Sequence, residues 1–203
     1  MTSLVVFVDP LRLASVLAVK PTLAMLAQCP AEVTWLPMRA PKEFRQPPAL
    51  TDTVRERHQR VRQAYRDHDN ARYAAWQGLP AGPPACVVDR DLLDYALLQL
   101  SASQAAPAYI LSVARHWFGG DTTPIDGHWL GTTSGLTDLE KCFAQDGPAA
   151  LAEHDSHATE LGIFDAPAFL AAGQLFIGRQ HLPAICRLLQ GTDPFGEHIS
   201  PLA

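Results

Sequence analysis

The residues most able to do chemistry lie late in the chain. Gly162-Ile163-Phe164-Asp165-Ala166-Pro167-Ala168-Phe169, followed by Gly173-Gln174-Leu175-Phe176-Ile177-Gly178, reads as a loop feeding a strand, a glycine turn and a second strand. Pro167 falls where the first of these strands begins; proline has no N–H to give to a ladder, so it belongs at a strand's first residue or on an edge. A cis X-Pro bond fits such a position and would turn the amide and carbonyl of Ala166 outward, free to pair with an extended, peptide-like ligand. An ordinary hairpin accounts for the same residues equally well. His154-x-x-His157 spaces two imidazoles one helical turn apart, but no third ligand is evident, and no metal is expected. Six arginines, from Arg55 to Arg72, concentrate in one charge-laced segment that either steers an acidic substrate or, with Asp52, Glu56, Asp67 and Asp69 interleaved, forms a solvated face. Tyr65, Tyr73, Trp76, Trp117 and Phe118 either line an apolar pocket or form the core of a helical unit.

The elements that must position these residues follow from periodicity. Leu4 to Val8 fits a buried strand ended by Asp9-Pro10, Leu11 to Gln28 a helix kinked by Pro21, and Glu32 to Pro37 a second strand, which makes a right-handed parallel β-α-β unit. Residues 37–50 carry four prolines and form an extended connection. Helical spacing then runs through Asp52 to Trp76, Asp89 to Gln104, Ala108 to Phe118, Leu136 to Phe143 and Pro148 to Leu161. Strand character returns at Ala168 to Leu170 and Leu175 to Ile177, before a last helix from Gln180 to Gln190 with Gly191 as its cap. The 203 residues, 47% hydrophobic and 18% charged, suffice for one sizeable core or two small ones. A net charge of −5 without a polybasic run speaks against nucleic acid. No stretch approaches the roughly 18 apolar residues of a membrane span, nor does the N-terminus resemble a targeting signal, so a cytoplasmic location is expected. Cys29, Cys86, Cys142 and Cys186 form no CxxC and are expected as buried free thiols.

The order β-α-β, a long helical block, then β-β-α, resembles the disulfide-oxidoreductase A (DsbA) family, in particular its 2-hydroxychromene-2-carboxylate isomerases and kappa-class glutathione transferases. Gly162 to Pro183 carries the resemblance most specifically, supported by Phe7-Val8-Asp9-Pro10, Val33-Thr34-Trp35-Leu36-Pro37 and Trp117-Phe118-Gly119-Gly120-Asp121. The implied fold is α/β and thioredoxin-like with a large all-helical insertion domain, residues 1–45 and 162–203 forming the thioredoxin-like domain and 46–161 the insertion. Redox members of the family carry Cys-x-x-Cys just after the first strand, and the isomerases carry a serine at its first position. Here the window reads Arg12-Leu13-Ala14-Ser15. It offers no thiolate, so thiol–disulfide exchange at this position is chemically impossible.

By the same resemblance Arg12 and Ser15 are the candidate catalytic residues. Arg12, at a helix N-terminus, suits a carboxylate or phosphate, or else turns to water or pairs with Asp9; Ser15 either orients a ligand or is structural. Glutathione is the implied cofactor. Its cysteinyl backbone would lie on Ala166 before Pro167 and its γ-glutamyl end on Arg179-Gln180, where relatives have a serine or asparagine followed by an aspartate. Two functions are compatible with these residues. One is a glutathione-dependent isomerase or transferase acting on a small aromatic or electrophilic substrate, often a homodimer among relatives. The other is a catalytically silent thioredoxin-fold protein that binds a small anion, a peptide or a partner chain.

Overall fold

The computed structural model describes residues 2–39 and 53–192. Strand β1 (Ser3–Val8) lies inside a four-stranded sheet of order β2-β1-β3-β4, parallel to β2 (Glu32–Pro37) and antiparallel to β3 (Ala168–Ala171), which pairs antiparallel with β4 (Gln174–Ile177). Its register couples distant halves of the chain, with Val6 between Trp35 on one side and Phe169 on the other. Alternation along β1 feeds both faces of the sheet. Leu4, Val6 and Val8 enter the main core, whereas Phe7 joins Ala158, Ile163 and Ala168 in a smaller cluster on the opposite face. This is the expected α/β thioredoxin-like fold, with a helical block between β2 and β3. The proposed boundary at residues 45/46, and most of the proline-rich connection, lie outside the described residues.

The expected kinked helix is two helices, α1 (Leu13–Val16) and α2 (Val19–Gln28), separated at Leu17-Ala18. Pro21 is not the cause, because it sits in the first turn of α2, where its missing N–H leaves no intrahelical bond unmade. Helix α3 (Val54–Gln77) opens with a capping box: the Thr53 hydroxyl accepts from the Glu56 amide, and the Glu56 carboxylate accepts from Thr53. These bonds hold the Glu56 carboxyl below its ordinary 4.5. The cap is therefore complete above that value and is lost as pH falls through the lower folded-state value. Amide exchange measured along a pH series should show the first turn of α3 fraying in acid before the rest of the helix does; a first turn as protected in acid as at neutrality would refute this.

Beyond α3 come α4 (Arg90–Gln99), α5 (Ala106–Phe118), α6 (Gly127–Ser134) and α7 (Leu139–Glu160). Two helices expected around Gly147-Pro148 are instead the single α7, with Pro148 inside it. Local proline chemistry is overridden by packing, since α7 lies along α4 and buries Leu139, Leu151 and Ala158. Helix α6 carries too little periodicity to be read from sequence; it starts on Asp126, whose carboxylate accepts from the Trp129 amide, and stops at Gly135 in the left-handed region. The last helix, α8 (Leu182–Leu189), follows a 3-10 turn at Arg179–His181, with Gly191 at φ +78° just past its end. No described helix is long and apolar enough to cross a membrane.

The expectation of free thiols is corrected at two of the four cysteines. Cys29, at the end of α2, is disulfide-bonded to Cys186 in α8, with Cα atoms 5.7 Å apart. Sequence spacing cannot show this pairing, because α2 and α8 become neighbours only when the sheet is assembled. Cys86 and Cys142 are free.

Candidate functional site

The loop between β1 and α1 is built on Asp9. Its backbone amide donates to the Ser15 hydroxyl at 2.8 Å, its carbonyl accepts the Arg12 amide at 3.1 Å, and its carboxylate accepts the Leu11 amide at 3.0 Å. Arg90 of α4 donates to the same carboxylate oxygen at 2.7 Å and, through Nε, to Asp94 at 2.9 Å. Arg39, leaving β2, donates to Asp94 as well, at 2.7 Å, and to Asp91. Asp94 is 2% exposed. Burial pushes its carboxyl up from the ordinary value against the opposing pull of Arg90 and Arg39. This ionic cluster ties the helical block to the loop that carries Arg12. None of it but Asp9 stands in a motif, and its members are 9 to 94 in sequence, so local spacing carries no sign of it.

The Ala166-Pro167 bond is cis, as the position of Pro167 allows. Its surroundings differ from expectation. Arg12 reaches across the sheet end to form an ion pair with Asp165 and also donates to the Ala166 carbonyl at 3.3 Å. The same Asp165 oxygen accepts the Ala166 amide at 2.9 Å. Both backbone groups expected to face a ligand are thus engaged within the chain. Arg12 thereby locks onto the segment before Pro167. Asp165 is the site residue that sequence reasoning missed. The available signal was an acidic residue directly before Ala166-Pro167 opposite an arginine in the window, and its use requires the tertiary pairing of β1 with β3.

Ser15 is turned inward. It is fully buried, and its hydroxyl is taken by the Asp9 amide. Helix α1 is also only four residues long, so it supplies little of the dipole expected to favour an anion. Arg179 and Gln180 do lie beside Pro167, because the Gly178 amide donates to the Pro167 carbonyl at 2.8 Å. Arg179, however, is turned onto α3, its guanidinium 4.0 Å from the Tyr73 ring centroid and 4.0 Å from Asp69. Desolvation lowers its pKa. These contacts join the thioredoxin-like unit to the helical block. Gln180 donates to the Ile177 carbonyl at 3.1 Å.

The remaining candidates separate. His154 is buried against Phe7, and its Nε2–H donates to the Pro37 carbonyl at 2.7 Å, while His157 is exposed. No group of three or more potential metal ligands occurs among the described residues. The aromatic cluster divides as well: Trp117 and Phe118 pack on the core, whereas Tyr65 and Trp76 are exposed on α3. A cavity of about 350 Å³ lies elsewhere, between α6 and the start of α7, lined by residues including His128, Asp138 and Glu140.

No protein-family model matches the sequence, and no curated protein matches it significantly. Solved structures do match. A 2-hydroxychromene-2-carboxylate isomerase is similar with a TM-score of 0.66 at 18% identity, over 93% of this chain and 98% of that one. A probable DsbA oxidoreductase from Streptomyces coelicolor gives 0.65 at 18%, over 100% and 93%. The cytosolic disulfide reductase DsbM from Pseudomonas aeruginosa gives 0.55 at 19%, over 93% and 97%, and it has also been solved with GSH. At these identities the likeness establishes the fold, which is the DsbA-like thioredoxin fold.

Proposed function

We propose that this chain is a catalytically silent binding protein on a DsbA-like fold. The observation that carries this reading is the Arg12–Asp165 lock. In the window where the redox chemistry of the fold needs a thiolate there is an arginine, and that arginine is spent on Asp165 and the Ala166 carbonyl. A ligand backbone seeking the Ala166 amide and carbonyl has to displace two charge-assisted contacts, which are stronger than neutral ones. With Ser15 buried, no described hydroxyl or thiol of the window faces that position.

A second reading is a glutathione-dependent isomerase or transferase, favoured by the overall likeness to the isomerase. It requires glutathione to replace Asp165 on Arg12. Calorimetric titration with glutathione, alongside a spectrophotometric assay of aromatic isomerisation and conjugation substrates, separates the two. The expected result is no saturable binding by the native protein at millimolar glutathione and no turnover. Asp165→Asn should then open the site, improving affinity for glutathione by about tenfold or more, the scale of one charge-assisted hydrogen bond. Glutathione-dependent turnover that Arg12→Ala abolishes would overturn the silent reading in favour of the enzyme, whereas saturable binding without turnover would show only that the Arg12–Asp165 pair does not bar this ligand.

A further inference from the structure

Helix α3 buries almost nothing for its length. Of its 24 residues only Ala74 is buried, and its attachment to the thioredoxin-like unit is made by its last turns through Gln77, which donates to the Leu17 carbonyl at 3.0 Å, and through the Tyr73–Arg179 contact. A helix of that length spans roughly 36 Å. Along it Val54 (66% exposed), Val61 (64%), Tyr65 (67%) and Trp76 (72%) stand in water. With His58, His68 and Arg72 filling the intervals, these positions advance in alternating steps of four and three residues, closing with a step of four to Trp76. That spacing makes a narrow seam down one side of a helix, the pattern of a surface that packs against one other helix.

The charges beside the seam determine what kind of helix fits. Arg55, Arg57, Arg62 and Arg66 make no ion pair or hydrogen bond among the described residues. The three carboxylates of α3 are all engaged within the chain. Glu56 is held in the capping box, Asp67 accepts from Gln63 at 2.9 Å, and Asp69 pairs with Arg72 at 2.5 Å. A second copy of α3 laid on this seam would bring more arginine and no available carboxylate, and like charges across such a seam are repulsive. A membrane surface fits poorly, because His58, His68 and Arg72 interrupt an already narrow apolar stripe. We infer that α3 is a docking helix for an acidic amphipathic helix of another protein, which covers the Val54–Trp76 seam and places glutamates or aspartates against the arginines. This goes beyond the silent-site reading and does not use Arg12, so glutathione turnover would defeat that reading and leave this one standing.

The test uses the full chain and a fluorescent synthetic helix as long as α3, with leucines at a and d positions and glutamates flanking them. A lysine-flanked version and a glutamate version with scrambled leucine spacing serve as comparisons. Anisotropy should show saturable binding of the glutamate peptide alone. Val61→Ser with Tyr65→Ser, and separately Arg55→Glu with Arg62→Glu, should each weaken it at least about tenfold, as loss of interface anchors does. These side chains are exposed, and unchanged circular dichroism verifies that the variants fold. Equal binding of the lysine or scrambled peptide overturns the inference. So does binding to phosphatidylserine vesicles in place of the peptide, or a dimer in sedimentation that Val61→Ser with Tyr65→Ser dissociates.

Discussion

Replacing Arg90 with alanine should cost about 3–5 kcal/mol of folding stability, the range for removing one partner of a buried ion pair. The reason lies in what remains. Asp94 is 2% exposed and Asp9 6%, and both are held by the same guanidinium. Without it the Asp9 carboxylate loses its guanidinium contact while still accepting the Leu11 amide, and Asp94 is left with Arg39. Denaturant titration of Arg90→Ala, Asp94→Ala and the double variant measures the effect. Both single variants should be strongly destabilised, and the double variant much less than their sum, because removing both charges no longer strands either one. A loss below about 1 kcal/mol for Arg90→Ala would mean that water or Arg39 replaces it and that the cluster does not hold the helical block to the β1–α1 loop.

The second large effect is expected at Cys29. The disulfide to Cys186 spans 157 residues, and a cross-link closing a loop of that size stabilises by on the order of 5 kcal/mol in the chain-entropy account, with typical measured values of about 2–4 kcal/mol. Cys29→Ala and Cys186→Ala should therefore lower the denaturation midpoint of protein purified without reductant by similar amounts. Treating the native protein with reductant should bring it down to the same level, whereas neither variant should respond. A native protein whose midpoint is indifferent to reductant would show that the sulfurs contribute only as packing.

The parts of this molecule legible in the sequence are those set by local pattern. The β-branched run Leu4 to Val8 and the segment Glu32 to Pro37 form strands where their composition places them, and Pro167 stands just before β3, where its missing N–H leaves no ladder bond unmade. Pro21 and Pro148 misled for one reason, since each has a position inside a helix where packing or a first turn absorbs it. Of the site, Arg12 and Ala166 could be found because the window and the proline loop are local motifs. Asp165 as Arg12's partner could not, nor could Arg90 and Asp94 beneath Asp9, because ion pairs between residues far apart leave no periodic trace. Ser15 illustrates a related limit. Its place in the window points to a ligand, yet its burial is decided by the return of the chain to Asp9.

The interleaved sheet also governs how the chain is made. Val6 leaves the ribosome long before its antiparallel neighbour Phe169 does. At about 5–20 residues per second, synthesis of the intervening chain takes on the order of 10 seconds. Through that interval β1 has at most β2 for company, with one edge unpaired and its apolar side chains uncovered. The early β-α-β segment is thus exposed to aggregation before it is a domain, and the helical block, whose contacts are mostly its own, is free to fold while the strands wait.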